Sequence, residues 1–287
     1  MKLTRSKILE ILRRKNEGWT TYKVKKHVGV SIRRVNQIWS EYLITGQVPV
    51  VGKEMGRPKK AFEPWEVDLT KKTYEKYRVS ADTLERLIRR DYGATISHNR
   101  IHKILLVIGY ANNRKTFYPR KIDWIRYERR HSLTAVHIDW HFDGKTRVWV
   151  FAVIDDASRK ILALIECDSP TTDKSIEGME LALKHGKIKQ CISDHGAQFI
   201  SNIGGDSKFK AYLEWRGIKQ ILCKIKHPQS NGKVEKWFDM YDNHRHAFNT
   251  KEEFLTWYNE VRPHRSLNFE VLETPSQAFE RKLKAEA

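Results

Sequence analysis

Three apolar segments follow one another closely in the second half of the chain: Leu133–Trp140, Arg147–Asp155 and Lys160–Asp168. Each has the length and the β-branched, aromatic-rich composition of a strand. Asp143-Gly144 supplies a turn between the first two, and Ala157-Ser158-Arg159 a turn between the next two, so an antiparallel meander is predicted. The rhythm then changes. Thr172–His185 has helical periodicity, Ile188–Ser193 is a short buried strand, and Ser207–Arg216 is again helical. Ile218–Lys224 adds a strand and Asn231–Asn249 a long helix. A meander followed by alternating helices and strands buries its apolar faces as a mixed sheet flanked by helices, an α/β architecture.

The region ahead of the sheet differs in charge. Residues 1–130 hold 31 Lys/Arg against 13 Asp/Glu, whereas residues 131–287 hold 23 against 22. Almost all of the net charge of +19 therefore precedes the sheet. There it can displace the counterions condensed on a polyphosphate, which points to DNA.

Within residues 1–50 three short helices are expected, from Ile8, Leu9, Ile11 and Leu12, then Val24 and Val28, then Ile32, Val35, Ile38 and Trp39. The turn Gly29-Val30-Ser31 between the last two makes a helix-turn-helix pattern, all-α and apt for DNA. Arg33, Arg34, Asn36 and Gln37 lie on its polar side, residue types that read base edges and phosphates in a major groove. Residues 51–61 form a basic linker. Its Gly56-Arg57-Pro58 resembles an AT-hook, with Arg57 in a minor groove. Residues 62–111 read as a second helix-turn-helix offering Asn99, Arg100 and Lys103 to DNA, and residues 112–132 as a basic, aromatic connector. The sheet domain is expected over 133–280.

Three acids stand where structure alone would not place them. Asp139 ends the apolar run Ala-Val-His-Ile-Asp, Asp194 follows the buried strand ending at Ser193, and Glu235 begins the helix opened by Asn231-Gly232. A carboxylate near a core must be paired or bind a metal, because desolvating it alone is costly. Three carboxylates on adjacent strands and a crossing helix suit two hard divalent ions flanking a scissile phosphodiester, one on the attacking oxygen and one on the leaving oxygen. Asp139, on the first strand, is the candidate for the bridging position. Asp155-Asp156 competes, but its place after the second strand reads as a turn or capping pair.

The stretches Val136-His137-Ile138-Asp139, Ser193-Asp194-His195-Gly196-Ala197-Gln198-Phe199 and His227-Pro228-Gln229-Ser230-Asn231-Gly232-Lys233-Val234-Glu235 resemble the catalytic core of retroviral-type integrases and insertion-sequence transposases with a DDE triad. The tail Trp257-Tyr258-Asn259-Glu260-Val261-Arg262-Pro263-His264, followed by Thr274-Pro275, resembles the end of the prokaryotic transposases. The resemblance covers about residues 130–280 and implies an RNase-H-like domain with Asp139, Asp194 and Glu235 as catalytic metal ligands. It further implies two Mg²⁺ or Mn²⁺ ions, double-stranded DNA as partner at both element ends and target, and a homodimer or larger homo-oligomer. A polynucleotidyl transferase of mobile elements, associated with the nucleoid in a prokaryotic cytoplasm, is the expected activity and place. Lys233 and Lys236, beside Glu235, would be placed to touch DNA phosphate. Forty residues separate Asp194 from Glu235, more than in the commonest family pattern, which suggests an insertion near Ser201–Ser207.

Other classes find little support in the residues. No apolar run reaches membrane-spanning length and no signal peptide is read. Cys167, Cys191 and Cys223 lack the spacing of a zinc site or disulfide framework, and no phosphate-binding G-x-x-x-x-G-K-[ST] loop occurs, so no nucleotide cofactor is expected. Two rivals stay open: a related nuclease without strand transfer, and a domesticated, non-enzymatic DNA-binding regulator.

Overall fold

In the amino-terminal segment each helix starts at a hydroxyl that satisfies a free backbone N–H. Thr4, Thr20 and Ser31 accept from the N–H groups of Lys7, Lys23 and Arg34 and so open helices α1 (Arg5–Asn16), α2 (Thr21–Val28) and α3 (Ile32–Thr45). Gly29 ends α2 in the left-handed conformation, at φ 71°, which a side chain would disfavour. Ile8, Ile11, Leu12, Val24, Val28, Val35 and Ile38 close a small core. The computed structural model describes residues 3–50, 60–112, 127–200, 205–223 and 231–283. Arg57, most of the basic linker and connector, and the His227–Ser230 part of the third motif lie outside the described residues. The chain divides into two compact units, Met1–Ala61 and Phe62–Ala287.

The second unit begins with helices α4 (Pro64–Tyr77), α5 (Ala81–Tyr92) and α6 (His98–Val107). Their core of Tyr77, Val79, Leu84, Leu87, Ile88, Ile96, Ile101 and Leu105 is completed by Leu272, far along the chain. Trp257 Nε1 donates to the Lys76 carbonyl at 3.0 Å, tying α4 to the same carboxyl-terminal region.

The sheet contains β1 (Val136–Asp143), β2 (Val148–Asp155), β3 (Ile161–Cys167), β4 (Gln190–Ser193) and β5 (Lys219–Leu222) in the order β3-β2-β1-β4-β5. The first three pair antiparallel; β4 and β5 join them in parallel, which leaves β1 central. Helices α7 (Thr172–Leu183), α8 (Lys208–Trp215), α9 (Gly232–His244), α10 (Lys251–Thr256) and α11 (Pro275–Lys282) flank it. This is the RNase-H-like arrangement of a mixed sheet between helices. On one face Val136, Ile138, Phe151 and Val153 pack with Met179, Phe209, Leu213 and Phe279. On the other, Val150, Ala152 and Ile154 meet Val234, Trp237, Phe238 and Tyr241 of α9. Each large side chain so buried contributes about 1.5–3 kcal/mol.

Some expected boundaries move, for local reasons. The Leu133 N–H donates to Asp155 Oδ1 at 2.8 Å and its φ is 62°, so β1 starts only at Val136. In the β1–β2 connection Arg147, at φ 61°, takes the left-handed position, not Gly144, while the Asp143 carboxylate accepts from Lys145 N–H and Thr146 Oγ1. The long helix expected over 231–249 stops at His244. Thr250 caps a new helix there, and Phe248 folds under to meet Trp257 and Phe254 at 5.2 and 5.7 Å.

Candidate active site

Strand alternation decides which β1 side chains face α9. Val136 and Ile138 point into the apolar cluster under α7 and α8. His137, Asp139 and His141 occupy the opposite face. His141 stacks on Phe238 of α9 at 4.8 Å and pairs with Asp242 at 2.8 Å. His137 and Asp139 both meet Asn231, the residue that precedes α9.

Asp139 is held on two sides. Its Oδ1 accepts from the Trp140 N–H at 2.8 Å and its Oδ2 from Asn231 Nδ2 at 3.1 Å. Burial, and next the charge of Asp194, push its pKa up to about 7, with Glu235 adding to the rise. The Trp140 and Asn231 donors oppose this without cancelling it. Cys223, just past β5, feels the same cluster: burial and then Asp194, Asp139 and Glu235 push its thiol up to about 11. The three expected carboxylates therefore share one electrostatic neighbourhood.

Each comes from a different element. Asp194 follows β4, and its Oδ1 accepts from the Gly196 N–H at 2.9 Å. A Cβ on Gly196 would lie 3.1 Å from that oxygen and 2.8 Å from Gln198 Oε1, so a side chain there would crowd the acid. His195 Nε2 bonds the Cys223 carbonyl at 2.8 Å, locking the ends of β4 and β5 together. Glu235 is exposed in the first turn of α9, its pKa raised by burial.

Behind Asp139 runs a buried polar chain that sequence reasoning did not anticipate. Asn231 Nδ2 also approaches the Ile138 carbonyl, at 3.3 Å, so its Oδ1 is the atom facing His137 Nδ1 at 3.2 Å. His137 Nε2 meets Asp156 Oδ1 at 2.8 Å, and Asp156 Oδ2 accepts from the Arg129 N–H at 2.6 Å. Lys233 forms an ion pair with Asp156. Burial works against the Asp156 charge, but His137, Lys233 and Arg129 outweigh it and hold the acid well below the usual range. Lys233 is itself pulled down to about 8, by burial and then by the Arg159 charge. A signal existed for His137: in His137-x-Asp139 the period of two puts both on one face.

The rival pair Asp155-Asp156 thus divides its work. Asp155 organises the turn, accepting from Ser158 N–H and Oγ and from Leu133 N–H. Asp156 belongs to the chain behind Asp139.

Among the expected DNA contacts, Arg33 and Lys103 are exposed. Arg34 bonds Gln37 at 2.6 Å, and Asn36 accepts from Thr21 Oγ1 at 3.0 Å. Arg100 is engaged by Glu66 at 2.5 Å and lies over Phe62, which fastens α6 to α4. Asn99 lines a cleft beside α5. Lys233 turns inward to Asp156, whereas Lys236 is exposed beside Asp239. Asn259 has a structural part: its amide bonds both the N–H and the carbonyl of Ile161 on the β3 edge, at 2.9 and 3.0 Å.

Among the described residues no group of three His, Cys, Asp or Glu side chains stands close enough together to hold a metal ion. Carboxylates are the oxygen donors that hard divalent cations prefer, and the charges of Asp194 and Glu235 raise the pKa of Asp139. A cation among them would relieve that repulsion.

An α/β domain with acids after β4, on the central strand and on the facing helix defines the class, an RNase-H-like domain with an acidic centre. Residues 129–228 match the family described as integrase core domain. The chain is 26% identical over 153 residues to the ORF3 protein of Spiroplasma virus SpV1-C74, which bears the name integrase. That match covers 45% of this chain, and the chain spans 42% of the length of that relative. Over residues 129–228 the chain is thus similar to the integrase core family. Solved structures that the chain matches include the catalytic core of BIV integrase, 14% identical, with 52% of this chain and 94% of that one covered and a TM-score of 0.41. Another is a simian T-cell lymphotropic virus intasome in complex with PP2A regulatory subunit B56 gamma, 13% identical, with 76% and 75% covered and a TM-score of 0.47. No helix among the described residues is long and apolar enough to cross a membrane.

Proposed function

We propose that the protein is a DNA transposase or integrase that cleaves DNA at the ends of a mobile element and joins the freed 3′-OH to target DNA, with Asp139, Asp194 and Glu235 as the metal-binding carboxylates. The observation that carries the reading is the half-buried Asp139 carboxylate on the central strand, held by the Trp140 N–H and Asn231, with the charges of Asp194 and Glu235 raising its pKa. Two Mg²⁺ or Mn²⁺ ions bound there would activate the attacking hydroxyl and offset charge on the leaving oxygen. The chain's own part is positioning. Asn231 and the Trp140 N–H hold the Asp139 carboxylate from behind, and each oxygen keeps a further lone pair for a cation. His137 and Asp156 in turn fix the orientation of Asn231, and Gly196 keeps space beside Asp194.

In this reading α2–α3 recognises DNA, with Arg33 exposed for contact, and the pairing of two element ends calls for a homodimer or larger assembly acting inside the cell on the nucleoid. Lys103 and Lys236 are the exposed cations of the second unit proposed to touch phosphate. The test is a joining assay with pre-cut 3′-OH ends and supercoiled target in Mg²⁺ or Mn²⁺. Asp139→Asn, Asp194→Asn and Glu235→Gln should each lower joined product about a hundredfold or more, with DNA binding kept. Cleavage without joining by the unaltered chain would favour a nuclease instead. Substitutions without effect on any activity would leave a DNA-binding regulator.

A further inference from the structure

Helices α4–α6, His244 of α9 and residues of the segment 262–265 line a cleft of about 720 Å³ that contains none of the three carboxylates. Its walls carry three arginines, Arg78, Arg262 and Arg265, and among the described lining residues one acid, Asp82. Asp82 is already committed to Arg265, at 3.0 Å. Arg78 and Arg262 form no ion pair with any described residue. What they have instead is aromatic surface: Arg78 lies 5.7 Å from the Phe248 ring and Arg262 5.9 Å from Trp257.

Arg262 is the unusual member. Part of its side chain opens on the cleft, but its Nε is enclosed and has no hydrogen-bond partner. Burial holds its guanidinium below the ordinary value. An enclosed cationic donor without an acceptor is costly, on the order of 1–3 kcal/mol or more. Packing alone would be served as well by a long apolar side chain. The backbone fixes it in place: the π-helical turn Trp257–Val261 ends with the Arg262 N–H bonded to the Trp257 carbonyl at 2.9 Å, and Pro263 follows. His244 lines the same cleft; burial and then the charges of Arg262 and Arg78 push it down to about 4, so it is neutral near pH 7.

Two further observations give the sign and the chemistry of a ligand. The first residues of α5 (Ala81, Asp82, Thr83) and of α6 (His98, Asn99) line the same cleft, so the positive ends of two helices add to the arginines. A guanidinium offers a planar fork suited to tetrahedral oxyanions. We propose that this cleft binds a phosphate group, anchored by Arg262 and Arg78. The phosphate can come from a DNA backbone or from a free phosphate or phosphorylated small molecule. This site does not depend on the carboxylate reading, because it is assayed by binding and not by turnover.

The experiment has two arms on the full-length protein. In the first, inorganic phosphate and pyrophosphate are titrated in a calorimeter; a saturable site with a Kd of about 1 mM or tighter is expected. Arg262→Met and Arg78→Met should each weaken it about tenfold or more. In the second, duplex DNA affinity is measured across a salt series. If a backbone phosphate occupies the cleft, each variant lowers the slope of log K against log salt by about 1. Loss of phosphate binding with an unchanged slope identifies the free-phosphate source; a lowered slope identifies DNA. If both variants match the unaltered chain in both arms, the proposal is overturned, as it is if the unaltered chain shows no saturable phosphate binding and the variants leave the slope unchanged. Should Arg262→Met fail to fold, Arg78→Met at the end of α4 still decides the matter.

Discussion

Helices α1–α3 and α4–α6 have similar lengths, similar turns and an excess of basic residues, yet they complete their cores differently. The first trio closes on its own residues, from Ile8 to Ile38. The second leaves a gap that Leu272 fills from nearly the other end of the chain. It is also tied by the Trp257–Lys76 hydrogen bond and the Arg265–Asp82 ion pair. The difference teaches that a helix-turn-helix pattern describes local geometry, not independence. Arg34, the third residue after the α3 cap, bonds Gln37 of its own helix, whereas Arg100, at the same position on α6, is taken up by Glu66 of α4.

The largest test of this contrast removes the shared residue. Leu272→Ala should destabilise the second unit by about 2–5 kcal/mol and leave the first unchanged, read as one shifted and one unshifted set of amide exchange rates. Equal shifts in both would break the contrast. Glu66→Ala removes the acid that pairs with Arg100 and should lower the denaturant midpoint of the second unit. A pH series sharpens the comparison next. His244, in the second unit, has a folded pKa of about 4 against 6.5 for the free side chain, so the unfolded chain binds more protons between those values. Its contribution is present above about pH 6.5 and is lost as pH falls toward 4, so the melting temperature of this unit should drop across that window and His244→Gln should flatten the change. The smallest effect belongs to the first unit. Asn36→Ala removes an exposed bond from Thr21 and should cost about 0.5–1 kcal/mol in its thermal unfolding.

Much of the sheet was legible because burial on both faces leaves near-continuous apolar runs, as in β2, where Val150 through Asp155 are all buried. The acids were legible for the converse reason: a carboxylate ending such a run has no packing role to explain it. The division between Asp155 and Asp156 was not. Neighbours in sequence point to opposite sides, and only the position of Leu133 and His137 decides that one organises a turn and the other a buried network. Lys233 reads as a surface cation on any helical wheel; the burial of Asp156 beneath α9 draws it inward. Asn231 and Asn259 read as a helix-opening residue and part of a packing motif, but their bonding partners were not legible. An asparagine side chain acquires meaning from the acceptors and donors that converge on it, and those come from β1 and β3, more than ninety residues away in each case.

By itself the amino-acid order determined most of the elements, their apolar faces, the basic bias of the first half and the three acids that stand out as candidates, since each follows from periodicity or from the cost of burying charge. Tertiary structure alone decided that Leu272 completes a helical core, that His137, Asn231 and Asp156 stand in line behind Asp139, and that Arg78 and Arg262 face one cleft. These are encounters between residues distant along the chain, and a one-dimensional pattern carries no record of which side chains the packing will bring together.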